Sequence, residues 1–484
     1  MYRTLCGVAA LLAVVAGPGA AQVPDRSRPP ELGAPPTLTL PGVQRLALAN
    51  GLTLIYLPKR EVPLVQVNVV IRAGEIHEAG EQAGLASMTA AMLDEGAGSR
   101  SALELADAVD YLGASLNVSS DQHATRVTLH VPAEHLDAAL ALLADVVLRP
   151  RFDADELERQ RRQRLTAMAQ WHDEARAIAA VVYARTLYGD RHPYGRLTLG
   201  TPETVRALTA EHLRAFHRTY FVPNNAAIIV AGDIALEDIR PRLEAAFGRW
   251  TPGQVPAPRT PDVPRAGRRE VVLVDKPGAA QSEIRIGQVG VDRTTADYFA
   301  LQVMNTVLGG SFTSRLNQKL REEKQYTYGA SSGFSYGRYP GPFTAQAAVQ
   351  TGVTDSALVE FLRELRGILA AVPEEELTRA RNYAALRYPA RFQAVGAIAG
   401  ELEELYLYDL PPDYFNTFVP RVLAVTRDDV RRVARRYLTP DRMAVVVVGD
   451  RAKVEAGVRA LNLGPLRVLS IVDVLGPPPV VGSE

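Results

Sequence analysis

Two stretches of this chain are copies of one unit: LTAEHLRAFHRTYFVPNNAAIIVAGD at 208–233 and VTRDDVRRVARRYLTPDRMAVVVVGD at 425–450. Thr209 matches Thr426, Tyr220 matches Tyr437, Pro223 matches Pro440, Gly232 matches Gly449 and Asp233 matches Asp450, each at an offset of 217. Each copy reads as a helix opened by a Thr N-cap, a turn at Pro, then a buried strand ending in Gly-Asp. Five matches at one offset mean duplication, so the chain must fold as two similar units.

The divide between them is visible. TPGQVPAPRTPDVPRAGRR, Thr251 to Arg269, has five prolines and no apolar periodicity, and reads as a linker. The expected organisation is a signal peptide at 1–21, a Pro-rich leader at 22–42, a domain at 43–250, the linker at 251–269, a second domain at 270–470 and a tail at 471–484. Asn50-Gly51 in NGLTLIYLP is a hairpin signal, and VPLVQVNVVIRAG and ATRVTLHVP read as strands. AEHLDAALALLADVVLRP reads as an amphipathic helix, and DADELERQRRQRLTAMAQWHDEARAIAAVVYARTLYG as a second, long and charged on its outer face. Hairpins mixed with helices give an α+β fold of two homologous domains, each a mainly antiparallel sheet packed with helices.

The chain of 484 residues is 47% hydrophobic and 22% charged, a globular composition. Its 54 basic and 54 acidic residues cancel, which argues against a nucleic-acid partner. MYRTLCGVAALLAVVAGPGAAQ reads as a cleavable export signal, placing the protein in the periplasm or outside the cell. No later stretch reaches the ~20 apolar residues of a membrane span. Cys6, the one cysteine, lies inside that signal, so the mature chain has no thiolate for a disulfide, a metal or catalysis.

From about Val43 to about Leu463 the chain resembles the pitrilysin/insulinase family of zinc peptidases, which includes processing peptidases. The landmarks are LANGLTLIYLP, VVIRAGEIHEAGEQAGLASMTAAML, GSRSALELADAVDYLGASLNVSSD, HPYGRLTLGTPETV, YFVPNNAAIIVAGD and LGGSFTSRLNQKLREEKQYTYGASSGF. In active members of that family a helix carries His-x-x-Glu-His: two His on one face bind zinc and the Glu activates its water. The resemblance puts Ser87, Ala90 and Ala91 at those three places, and puts the remaining ligand, a Glu in the family, near Thr166 or Ala167. Ser and Ala sustain a helix, so the chemistry is lost without the fold. Asp94 and Glu95, just beyond, read as a solvated face.

The eight histidines run from His77 to His217, and the closest pairs, His130 with His135 and His212 with His217, are five apart. That spacing places them on different faces, so they read as structural. The resemblance puts His192 of HPYGR in a positioning loop. It also matches Arg321 and Tyr328 of REEKQYTYG to the pair that active members set opposite the zinc, where preorganised donors to a developing oxyanion contribute ~3 kcal/mol each. Tyr326 is the neighbour most easily confused with Tyr328, and reads as a core or edge residue.

The resemblance therefore implies the non-metal subunit of a heterodimeric exported peptidase. It would have no cofactor of its own, would pair with a zinc-bearing homologous subunit, and would act on peptides or unfolded protein. The alternative is an inactive peptide-binding or scaffold protein of the same fold.

Overall fold

A computed structural model describes residues 39–258 and 267–480. The stretch read as a signal peptide, most of that read as a leader, the middle of that read as a linker and the last four residues lie outside the described residues.

The first half builds one six-stranded sheet from β1 (Gln44–Ala47), β2 (Thr53–Pro58), β3 (Leu64–Ile71), β4 (Ser115–Ser120), β5 (Thr125–Pro132) and β6 (Ala226–Gly232), in the order β1-β2-β6-β3-β5-β4. The second half builds another from β7 (Val271–Asp275), β8 (Gln281–Val289), β9 (Thr327–Phe334), β10 (Pro342–Gln350), β11 (Ala444–Gly449) and β12 (Leu466–Ser470), in the order β12-β7-β11-β8-β10-β9. β2 runs parallel to β6 and β7 runs parallel to β11, and the rest of each sheet is antiparallel except at one edge. There β1 is antiparallel to β2, through a turn with Gly51 at φ +84°, whereas β12 reaches the equivalent edge from the far end of the chain and is parallel to β7. The α+β architecture of two related halves is therefore present, with mixed sheets.

The repeat that marked the duplication has the anticipated local structure. Thr209 and Thr426 each cap a helix, Ala210–Tyr220 and Arg427–Tyr437, by accepting the backbone N–H three residues on. The strands that follow, β6 and β11, are buried along their whole length, which is why they read AAIIVAG and AVVVVG without alternation.

Such strands need cover on both faces, and the two halves supply it to each other. Leu54, Tyr56, Val67, Ile228 and Val230 pack against helices of the first half. On the opposite face Ile55, Leu57, Ala227 and Ile229 share a core with Ile398, Leu402 and Tyr406 of helix Val395–Leu407, which belongs to the second half. Reciprocally, helix Ala175–Tyr188 of the first half lays Ile178, Val181 and Val182 on Val272, Val274, Val446 and Val448 of the second sheet. Polar pins fix both helices: Glu403 accepts from Asn68 Nδ2 at 2.8 Å and Arg126 Nε at 2.6 Å, and Tyr183 donates to the Phe343 carbonyl at 2.7 Å.

This exchange explains one departure from the sequence reading. The expected single long helix is two, Ala154–Trp171 and Ala175–Tyr188, broken at 172–174. The first is polar and stays with its own half, while the second is apolar on most sides and must turn to reach the other sheet. His172 fastens the break, its two ring nitrogens lying 3.1 Å from Met168 O and 3.0 Å from Gly476 O. The segment read as a tail also begins differently, with a short helix, Ile471–Leu475, whose Val474 is buried beside Ala175–Tyr188.

Candidate functional site

The motif helix spans Leu85–Ala91. Gly84 opens it at φ +91°, and a Cβ there would lie 2.6 Å from the Leu199 carbonyl, so the 198–200 loop seats directly on the helix start. A glycine cap offers no side-chain acceptor. Glu78 supplies one, accepting the N–H groups of Gly84 at 3.0 Å and Ala86 at 2.6 Å.

Ser87, at the first ligand place, donates its hydroxyl to Thr198 O at 2.6 Å. Its oxygen accepts from Arg164 Nη1 at 2.9 Å, and the same nitrogen donates to Gly84 O at 3.1 Å. Ala90 is buried and, like Ala91, carries no donor atom. It is Arg164 of helix Ala154–Trp171, 8% exposed, that reaches the motif helix. Thr166 is exposed and bonds back to its own helix at Arg162 O. Zinc requires anionic or lone-pair ligands. A hydroxyl already committed, two methyl groups and a guanidinium do not fit it.

Asp94 and Glu95 are half-buried, which corrects the reading of a solvated face. Burial pushes the Asp94 carboxyl up to about 6, and Glu95 pairs with Arg159 and accepts from Gln160 at 2.6 Å. Both lie past the helix end at Ala91, and Glu95 is held there by helix Ala154–Trp171. The histidines are engaged structurally. His192 caps Tyr194, His123 pairs with the Tyr194 hydroxyl at 2.7 Å, and His217 lies 2.8 Å from Val147 O. Among the described residues, no three His, Cys, Asp or Glu side chains converge on a point.

Two acids near the motif are unusual. Burial pushes Glu78 up to about 8 and Glu75 up to about 7. Neither Glu75 oxygen has a hydrogen-bond partner; the Thr198 hydroxyl is close enough to lower its pKa somewhat but lacks bonding geometry. Sequence reading missed both, because an acidic pair in EIHEAGEQAG looks like a surface loop.

In the second half, Arg321 lies on a π-helical turn, Gln318–Glu323, and Tyr328 on edge strand β9. The π turn closes with Gln325 at φ +57°, a strained position of the kind that clusters at functional sites. Tyr328 is 90% exposed, and the Arg321 guanidinium sits 4.5 Å from the ring centre of Phe312, itself well exposed. The Arg321 Nε also lies 3.3 Å from Glu322 Oε1, and an exposed aromatic pair with a guanidinium on one rim suits a peptide backbone. Tyr326 is half-buried against the core. One residue not anticipated ties this rim together: buried Asn317 donates to Phe312 O at 2.7 Å and accepts from Ala330 N at 3.2 Å. It thus links the 309–314 loop, the turn carrying Arg321 and the strand carrying Tyr328.

Residues 55–199 match the family model described as Insulinase (Peptidase family M16), and residues 207–383 match the one described as Peptidase M16 inactive domain, together well over half of the chain. The chain belongs to the M16 peptidase family. It is 28% identical to an uncharacterized zinc protease of Streptomyces coelicolor over 82% of this chain and 87% of that one. An uncharacterized zinc protease of Mycobacterium leprae is also 28% identical, over 70% of this chain and 75% of its own. Among solved structures, an M16 inactive domain from Pseudomonas fluorescens superposes with a TM-score of 0.79 at 25% identity, covering 84% of this chain and 98% of the other. A chain of complex III from Candida albicans shares the fold at a TM-score of 0.72 and 16% identity, covering 87% and 99%. No helix among the described residues of this M16 chain is long and apolar enough to cross a membrane.

Proposed function

We propose that this M16 chain is the non-metal subunit of an exported two-chain peptidase, contributing Arg321 and Tyr328 to a zinc held by a homologous partner. The observation that carries this reading is the asymmetry between the two halves. The motif helix has its ligand places taken by Ser87, Ala90 and Ala91, while the rim around Arg321 keeps a half-buried guanidinium and an exposed phenol. A zinc-bound water needs a carbonyl that is immobilised and polarised, and donors such as these do both. In this chain the Arg would hold a substrate carbonyl, the Tyr hydroxyl would donate to the oxyanion, and Phe312 would fix the guanidinium's direction. Substrates would be peptides or unfolded segments, reached after export through the 1–21 signal.

The test mixes this chain with an intact-motif M16 chain from the same genome and follows mass and peptide cleavage together. A one-to-one complex should appear, with cleavage well above that of either chain alone. Arg321→Ala or Tyr328→Phe should leave the complex intact and lower its rate about 100-fold. Full activity of the partner alone, or of complexes with both variants, would overturn the reading. The alternative, an inactive peptide-binding or scaffold protein of the same fold, predicts that both variants are without effect.

A further inference from the structure

The structure assigns to Arg164 the place of a metal ion: its guanidinium is the built-in cation that ties the motif helix to helix Ala154–Trp171 and keeps the site closed to zinc. The assignment is independent of whether Arg321 and Tyr328 act on a partner's substrate. A buried guanidinium is costly unless its donors are used. Here one nitrogen serves both Ser87 Oγ, at 2.9 Å, and Gly84 O, at 3.1 Å, and so joins two helices far apart in the chain.

The helix dipole does not account for this arrangement. Gly84 lies at the N-terminus of the motif helix, the positive end, where a cation is disfavoured. Burial lowers the guanidinium to about 10, and the charge is met chiefly by its acceptors, Ser87 Oγ and Gly84 O, since Glu78 on the same helix start is itself pushed up to about 8 and favours the ionised guanidinium only when it is ionised. A cation that bridges two helices is the arrangement a metal would create, here with the ion replaced by a side chain anchored on one helix and held by acceptors of the other. Ser87 is the matching change on the other side. Its hydroxyl is short enough to leave room for the guanidinium and can accept a hydrogen bond from it, which a methyl group cannot.

Two consequences separate this from an incidental contact. Restoring the motif by Ser87→His, Ala90→Glu and Ala91→His, together with the remaining ligand by Ala167→Glu, should still give a chain that holds no stoichiometric zinc, because Arg164 fills the space with like charge. Adding Arg164→Ala should raise zinc affinity at least ~10-fold, about 1.4 kcal/mol. Zinc alone is the probe, with bound metal measured after gel filtration. Equal zinc affinity with and without Arg164 would overturn the closure. A second measurement needs no restored motif: a double-mutant cycle of Ser87→Ala and Arg164→Met in the parental chain, read as urea midpoints. Clear non-additivity is expected, and additive effects would overturn the tie.

Discussion

Glu75 buries both carboxylate oxygens without a partner, and its pKa rises from 4.5 to about 7. An acid that holds its proton more tightly when folded lowers stability as pH rises between those two values. Glu75→Gln removes that ionisation, so its urea midpoint should exceed the parent's by a margin that grows from about pH 4.5 to about pH 7 and then levels off. His77 and His123, both lowered to about 4 by burial, act in the opposite sense between there and 6.5, so the variant must be compared with the parent at each pH. A flat difference would mean that Glu75 is solvated. Asn317→Ala should loosen the Arg321 rim, lowering peptide cleavage by the assembled pair about 10-fold and costing about 1–3 kcal/mol of stability for the buried groups left unpaired. Tyr328 and Arg321 could be singled out because they sit in a distinctive string, and their role is the one proposed above. Arg164, Glu75 and Asn317 were not, because an Arg, a Glu or an Asn in a polar helix or loop looks exposed, and only the tertiary fold turns each inward.

The strands were largely readable, since alternation and full burial leave different marks, as in TRVTLHVP of β5 against AVVVVG of β11. The helix at 154–188 was misread because nothing local stops it: no Gly or Pro interrupts WHDE, and the break follows from where Ala175–Tyr188 docks. That docking rests on Gly287 of β8. A Cβ there would lie 1.9 Å from Phe343 O and 2.2 Å from the Tyr183 hydroxyl. Gly287→Ala should therefore force strand and helix apart, costing about 1–3 kcal/mol or more, whereas Tyr183→Phe should cost about 1 kcal/mol for its hydrogen bond. Thermal melts of both variants check the order; a Gly287→Ala protein as stable as its parent would show that the helix seat is soft.

At the scale of the molecule, the duplication was legible but the exchange was not, because sequence similarity records which residues correspond and not which sheet they cover. Each half leaves one sheet face to be covered by the other, so residues 39–258 and 267–480 produced separately should each lack a cooperative unfolding transition, and produced together should associate and regain one. Independent folding of either piece would contradict the cores described above. The traded helices are themselves counterparts: Ala175–Tyr188 moved by the repeat offset of 217 falls at 392–405, overlapping Val395–Leu407. Two copies that each lend the same helix to the other are what remains when a swapped homodimer of half-length chains is fused end to end. On that history the proline-rich join at 251–269 is the youngest part of the protein, and the contacts of Glu403 and Tyr183 descend from the seam between two separate chains.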